Sequence, residues 1–191
     1  MPETPQTYTA FAGQRLIVSG PLETVLATLK KRSARRDGEL ALVFDDQSGR
    51  QVDFDLRGAL EEVLARAIPS TPRTGPGRPK LGIVSREVSL LPRHWEWLEQ
   101  QPNGASAALR RLVDEARNRD PQQQKARLAT DATYRFMSAM AGNLPGFEEA
   151  ARSLYAGRRG RFENLVRGWP PDIRDHLLRI SQDVFEARVV P

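Results

Sequence analysis

Cysteine is missing from all 191 residues, which excludes disulfides, thiolate metal sites and cysteine nucleophiles and fits a reducing compartment. Imidazole is almost as scarce, with His94 and His176 the two histidines. No Ser-His or metal-ligand spacing links them, and Asp172, four residues before His176, reads as a surface partner on one helix face. A Gly-rich phosphate loop and a paired-carboxylate motif are also missing, so neither catalysis, a cofactor nor a metal is expected. No window approaches the roughly 18 consecutive apolar residues of a membrane span. The start MPETPQTYTAF has neither a basic stretch nor an apolar run, so the chain is expected to stay in the cytoplasm.

What is present is a globular composition, 39% hydrophobic and 28% charged, long enough for one domain or two to three small ones. The net charge is +5 and the pI about 10.1, but placement says more than the total. Residues 1–68 carry 9 basic and 10 acidic side chains, residues 73–119 carry 9 and 5, and residues 120–191 carry 11 and 9. The central segment therefore holds +4 of the +5.

An α+β chain is expected. Residues 8–11 and 14–19 read as short strands around Gly13, and Pro21 opens a helix over 21–32 whose stripe is Leu22, Val25, Leu26 and Leu29. ELALVF at 39–44 and the alternating QVDFDL at 51–56, joined by DDQSG, predict a β-hairpin. Gly58 then opens a helix with Leu60, Val63, Leu64 and Ile68 inward, so residues 1–68 form a ββαββα domain. Asp45, Asp46, Asp53 and Asp55 lack the alternating ligands and closing Glu of a calcium loop and read as turn and exposed-face carboxylates.

Residues 69–80, PSTPRTGPGRPK, form a basic linker by composition. IVSREVSLL at 83–91 alternates, placing Val84, Arg86, Val88 and Leu90 on one face and Ser85, Glu87 and Ser89 on the other. Pro92 starts a helix carrying Trp95 and Leu98, and PNG at 102–104 ends it. Gly104 or Ser106 opens a second helix with a stripe of Leu109, Leu112, Val113 and Ala116; Arg110, Arg111 and Arg117 lie off it. Residues 120–191 read as a helical bundle: a long helix over 122–142 with Leu128, Ala132, Tyr134, Phe136, Met137 and Met140 apolar, then 147–156, a loop carrying Arg158, Arg159 and Arg161, and a Pro-led helix over 170–180.

Two resemblances attach to the centre. GRPK at 77–80 is similar in part to an AT-hook; because Pro76 precedes Gly77 where that motif has Arg, only Arg78 and Lys80 carry over, as minor-groove or phosphate contacts. Residues 81–119 resemble the ribbon-helix-helix family of DNA-binding proteins, which includes the methionine and Arc repressors. The resemblance rests on the alternating strand, the Leu-Pro strand-to-helix junction and the Gly-Ala-Ser that opens the second helix. It implies a homodimer in which two strands pair antiparallel and enter the major groove of double-stranded DNA. Ser85, Glu87 and Ser89 would then face the bases, with Arg86 contributing and facing them itself if the register shifts by one. The amides near Ala105 and Ser106 would clamp a phosphate, helped by Arg110. Val84, Val88, Leu90, Trp95, Leu98, Leu109, Leu112 and Val113 would form the dimer core.

Along nearly its full length the chain also resembles a bacterial domain family known by number, domain of unknown function 2239, through SREVSLLPRHWEWL, YRFMSAMAGNLPGFEEA and RGWPPDIRDH. That likeness implies no activity. The expected function is a dimeric DNA-binding regulator, nucleoid-associated, whose C-terminal helices offer a surface to a protein partner or effector. The alternative is an antitoxin-like protein-interaction or oligomerisation module without DNA specificity.

Overall fold

Alternation over YTAFA and RLIVSG, with Gly13 at φ 53° between them, gives the antiparallel pair β1 (Tyr8–Ala12) and β2 (Arg15–Gly20). The computed structural model describes residues 5–34, 40–68 and 86–186. Gly20 ends β2, and α1 (Leu22–Ala34) crosses to β3 (Ala41–Asp45), which pairs with the other edge of β1. The order β2-β1-β3 puts β1 in the middle of the sheet.

Successive residues of a strand face opposite ways, and here both faces are covered. Ala10 and Val43 pack with Val25 and Leu29 of α1, with Phe54 and Leu56 closing over them. Phe11 and Phe44 point the other way, into a core built with Phe136, Met137, Leu154, Phe162, Trp169, Ile173, Leu177 and Phe185. Those residues come from α5 (Pro121–Ala141), α6 (Phe147–Tyr155), α7 (Arg159–Val166), α8 (Pro171–Ile180) and α9 (Gln182–Glu186) and the turns between them. Phe11, Phe44 and Phe136 meet edge to face or tilted, at centroid distances of 5.0 to 6.3 Å, a geometry worth about 1 kcal/mol per pair beyond burial. Trp169 donates its indole N–H to the Pro145 carbonyl at 2.9 Å, pinning the turn before α8 to the one before α6.

Residues 1–69 and 122–191 thus form one compact unit and residues 70–121 a second. The separate N- and C-terminal domains expected from sequence are corrected to one unit: neither Phe11 nor Phe44 is buried without the helices that follow a hundred residues later. The ββαββα reading is corrected as well. Only Gln51 bridges Phe44, and Val52 donates to the Val43 carbonyl; beyond them no ladder forms. Asp55 accepts from the Arg57 amide at 3.0 Å, a local bond that competes with strand pairing. α2 (Leu60–Ala67) belongs to the first unit, and the described residues of the second hold the helices α3 (Pro92–Glu99) and α4 (Gly104–Arg119).

Two smaller expectations also shift. Arg159 and Arg161 lie in α7, not in a loop, where Arg159 pairs with Glu163 at 2.8 Å one turn on. Leu128, expected in the apolar surface of α5, is 57% exposed, whereas Phe136 and Met137 are fully buried. No helix among the described residues is long and apolar enough to cross a membrane.

The turn after β3 docks on α5. Arg135 donates to the Ser48 carbonyl at 2.8 Å, and a Cβ at Gly49 (φ +66°) would stand 1.9 Å from the Ala132 carbonyl oxygen. Gly49→Ala therefore combines left-handed strain with a backbone clash and is expected to cost about 3 kcal/mol or more. Gly146→Ala, at φ +77° with its nearest neighbour at 3.8 Å, should cost only about 1 kcal/mol. Urea unfolding at unchanged m-value measures both, and equal losses would contradict the packing argument.

Candidate functional site

Within the second unit, Pro92 occupies the first turn of α3, where no amide is required, and the Leu91 carbonyl accepts from His94 and Trp95 at 2.8 and 3.3 Å. The hairpin turn is made by Asn103 at φ 66° and Gly104 at φ 77°, both left-handed, with the Gly104 amide bonded to the Gln101 carbonyl at 3.0 Å. Asn103 makes no side-chain cap. The first amides of α4, at Ala105 and Ser106, therefore keep the unsatisfied donor character of a helix start. Ala105 is half-buried and Ser106 exposed.

The two helices pack through Leu98, 3% exposed, and Ala108, 2% exposed. The rest of the apolar stripe is open: Val88 55%, Leu91 51%, Trp95 37%, Trp97 47%, Leu112 37% and Val113 54%. Leu90 and Leu109 are half-buried. Of the described residues assigned to a dimer core, only Leu98 is thus enclosed within its own chain. Arg86, Glu87, Ser89 and Arg110 are exposed, and residues 86–90 carry neither helix nor strand. Arg78, Lys80, Val84 and Ser85 lie outside the described residues, as does the linker. On α4, Arg111 is taken up by Glu115 at 3.6 Å and Gln101 at 3.4 Å, whereas Arg110 projects to solvent.

The first unit holds a polar cluster that the sequence did not signal. Asp46, at the end of β3, has a side chain only 5% exposed and stands against His176 of α8, itself 1% exposed. Asp46 accepts from Thr7 Oγ1 at 2.8 Å and from Arg179 Nη2 at 3.0 Å. The same guanidinium nitrogen reaches His176 Nδ1 at 2.9 Å and Thr9 Oγ1 at 3.3 Å. Because Arg only donates, Nδ1 is the accepting nitrogen and the proton of the neutral ring sits on Nε2, 3.7 Å from Asp46 Oδ1. The ring meets Phe136 at a tilt, 4.4 Å between centroids, and Phe11 edge to face at 5.4 Å. Burial pulls its pKa down to about 4, with Asp46 opposing and Arg179 adding to the fall. Asp172, paired with His176 in the sequence reading, instead accepts the Leu16 amide at 2.7 Å and holds α8 to β2. Asp46 corrects the reading of its group as turn and surface carboxylates; Asp45 beside it does cap its turn, accepting from the Gln47 amide and Ser48 Oγ at 2.9 Å.

Among the described residues no group of His, Asp and Glu could hold a metal ion. The family model described as "Uncharacterized protein conserved in bacteria (DUF2239)" matches residues 7–181. No curated protein and no solved structure matches the chain.

Because Leu98 and Ala108 are the enclosed contacts of the hairpin, Leu98→Ala is expected to remove about 2–4 kcal/mol of its stability. Trp97→Ala, half in solvent, should remove less than about 1 kcal/mol. Native-state hydrogen exchange of the α3 and α4 amides separates the two, and comparable deprotection would refute the assigned packing.

Proposed function

The chain belongs to this bacterial family, and we propose that it acts as a dimeric, sequence- or shape-selective DNA-binding protein of regulatory type. The observation that carries the reading is the open apolar stripe of residues 88–113, six large side chains between 37% and 55% exposed around a hairpin that encloses Leu98 and Ala108. A helical pair of this size gains too little from two enclosed contacts to offset its ordering entropy. A second copy of the stripe would supply the missing burial, and pairing of the two 83–91 segments would satisfy backbone groups that find no ladder within residues 86–90 of one chain.

DNA as the ligand is supported by charge and by the start of α4. Residues 73–119 hold +4 of the net +5, and Arg86 and Arg110 are exposed. The Ala105 and Ser106 amides suit a phosphate oxygen. In this reading Ser85, Glu87 and Ser89 face the major groove, Glu87 accepting from a cytosine amino group, while Arg78 and Lys80 hold the backbone or the adjacent minor groove. The same open stripe also suits a different protein, the reading in which the chain is a partner-binding module without DNA specificity.

Two measurements decide between these. Sedimentation of the full chain should give a dimer, and Leu112→Gln with Val113→Gln should give a folded monomer; a monomeric parent chain would end the ribbon reading. Mobility-shift titration of duplex DNA should show affinity falling with salt by about 0.9 log units per log unit of salt for each phosphate neutralised. Changing Arg78 and Lys80 together to Ala should flatten that slope by about 2 for each chain in contact. A dimer that binds no duplex at low salt would favour the partner-binding module.

A further inference from the structure

A carboxylate and an imidazole enclosed between a sheet and a helix, with a half-exposed guanidinium bridging them, need more than packing to justify them, since burying charge is costly unless every group is matched. We propose that Asp46, His176 and Arg179 form an acid-operated latch between the sheet and α8: protonation of His176 expels the Arg179 guanidinium and hands the Asp46 carboxylate to the imidazolium.

The geometry supplies each part. In the closed state Arg179 Nη2 donates to His176 Nδ1 at 2.9 Å and to Asp46 Oδ2 at 3.0 Å, so the neutral ring is held as an acceptor. A proton arriving on Nδ1 turns that contact into two donors and two positive charges face to face. Arg179 is free to leave, because 46% of its side chain is already in solvent. Asp46 is not: Thr7 holds its Oδ2 through Oγ1 at 2.8 Å and its amide through the Thr7 carbonyl at 3.0 Å. The carboxylate left behind has its Oδ1, which finds no hydrogen-bond partner in the closed state, 3.7 Å from Nε2, and closes on it.

Among the described residues nothing else nearby competes for the proton. β1 presents Phe11 to the ring and Thr9 to the guanidinium, and α5 presents Phe136 to the ring. On α8 itself Asp172 is bound to the Leu16 amide, and Asp175 pairs with Arg174 at 2.8 Å. Asp46 and Arg179 are therefore the charged groups the ring faces, and the bond from Arg179 to Thr9 at 3.3 Å is lost with the latch. The consequence is a sheet held less tightly to α8 in acid.

The sign follows from proton linkage. His176 binds its proton less readily folded, at about 4, than unfolded at about 6.5, so stability is full above pH 6.5 and falls as pH drops toward 4. Between pH 7 and pH 4.5 His176 alone lowers the folding equilibrium constant on the order of 50-fold. The test is urea unfolding of the full chain at both pH values for the parent, His176→Gln and Arg179→Gln. His176→Gln should lose on the order of 50-fold less than the parent. Arg179→Gln should be weaker at pH 7 yet decline less steeply, because the imidazolium then keeps Asp46 without opposition. A second readout does not depend on stability: at pH 7 the nitrogen spectrum should show His176 Nδ1 unprotonated and Nε2 carrying the proton. Parallel pH profiles for Arg179→Gln and the parent, or a protonated Nδ1 at pH 7, would overturn the latch.

Discussion

The structure depends on a strand that water reaches on neither side. Thr9, Ala10, Phe11 and Ala12 of β1 are at most 1% exposed, because β2 and β3 take its edges, α1 takes one face and the helices from α5 onward take the other. A central strand of this kind fixes its neighbours: a slip of one residue would swap Phe11 for Ala10 on the helical side and empty the aromatic cluster. It also explains the small residues. Ala10 and Ala12 leave room for close approach, while Phe11 reaches out with Phe44 to Phe136.

The same enclosure gives the polar cluster its character. Thr9 lies on the helical side with Phe44, its partner across the sheet, and there it meets Arg179 and Ser19. Asp46 emerges at the end of β3 where the core is still closed, so a residue from a turn becomes a buried anion. In water such groups would contribute little; walled by Phe11 and Phe136, their matching decides how the sheet and α8 hold together.

The second unit follows the opposite logic. Its helices begin and end at clear chemical signals, Pro92 in the first turn of α3 and Asn103-Gly104 in left-handed backbone before α4, yet most of its apolar stripe is left in solvent. The first unit closes its core within one chain. The second has sound local geometry and an apolar surface left largely uncovered.

Much of this was written locally. The periodicities of α1, α3, α4, α5, α6 and α8 and the turn residues between them were readable from sequence because a helix needs only its own stripe and its own caps. The hairpin over 51–56 was not, since Asp55 satisfies the Arg57 amide and no ladder continues past Val52. The unity of residues 5–68 with 122–186 was illegible for a different reason: the apolar faces of β1 and α5 each announce that they are buried, and nothing in either says against what. His176 shows the limit most sharply. Sequence spacing offered it Asp172, four residues away, but the fold gave Asp172 to Leu16 and brought Asp46 from 130 positions upstream. Composition and periodicity determined which segments form elements and which residues seek cover; tertiary structure alone decided which charges meet, because burial and distance belong to the folded chain and not to its order.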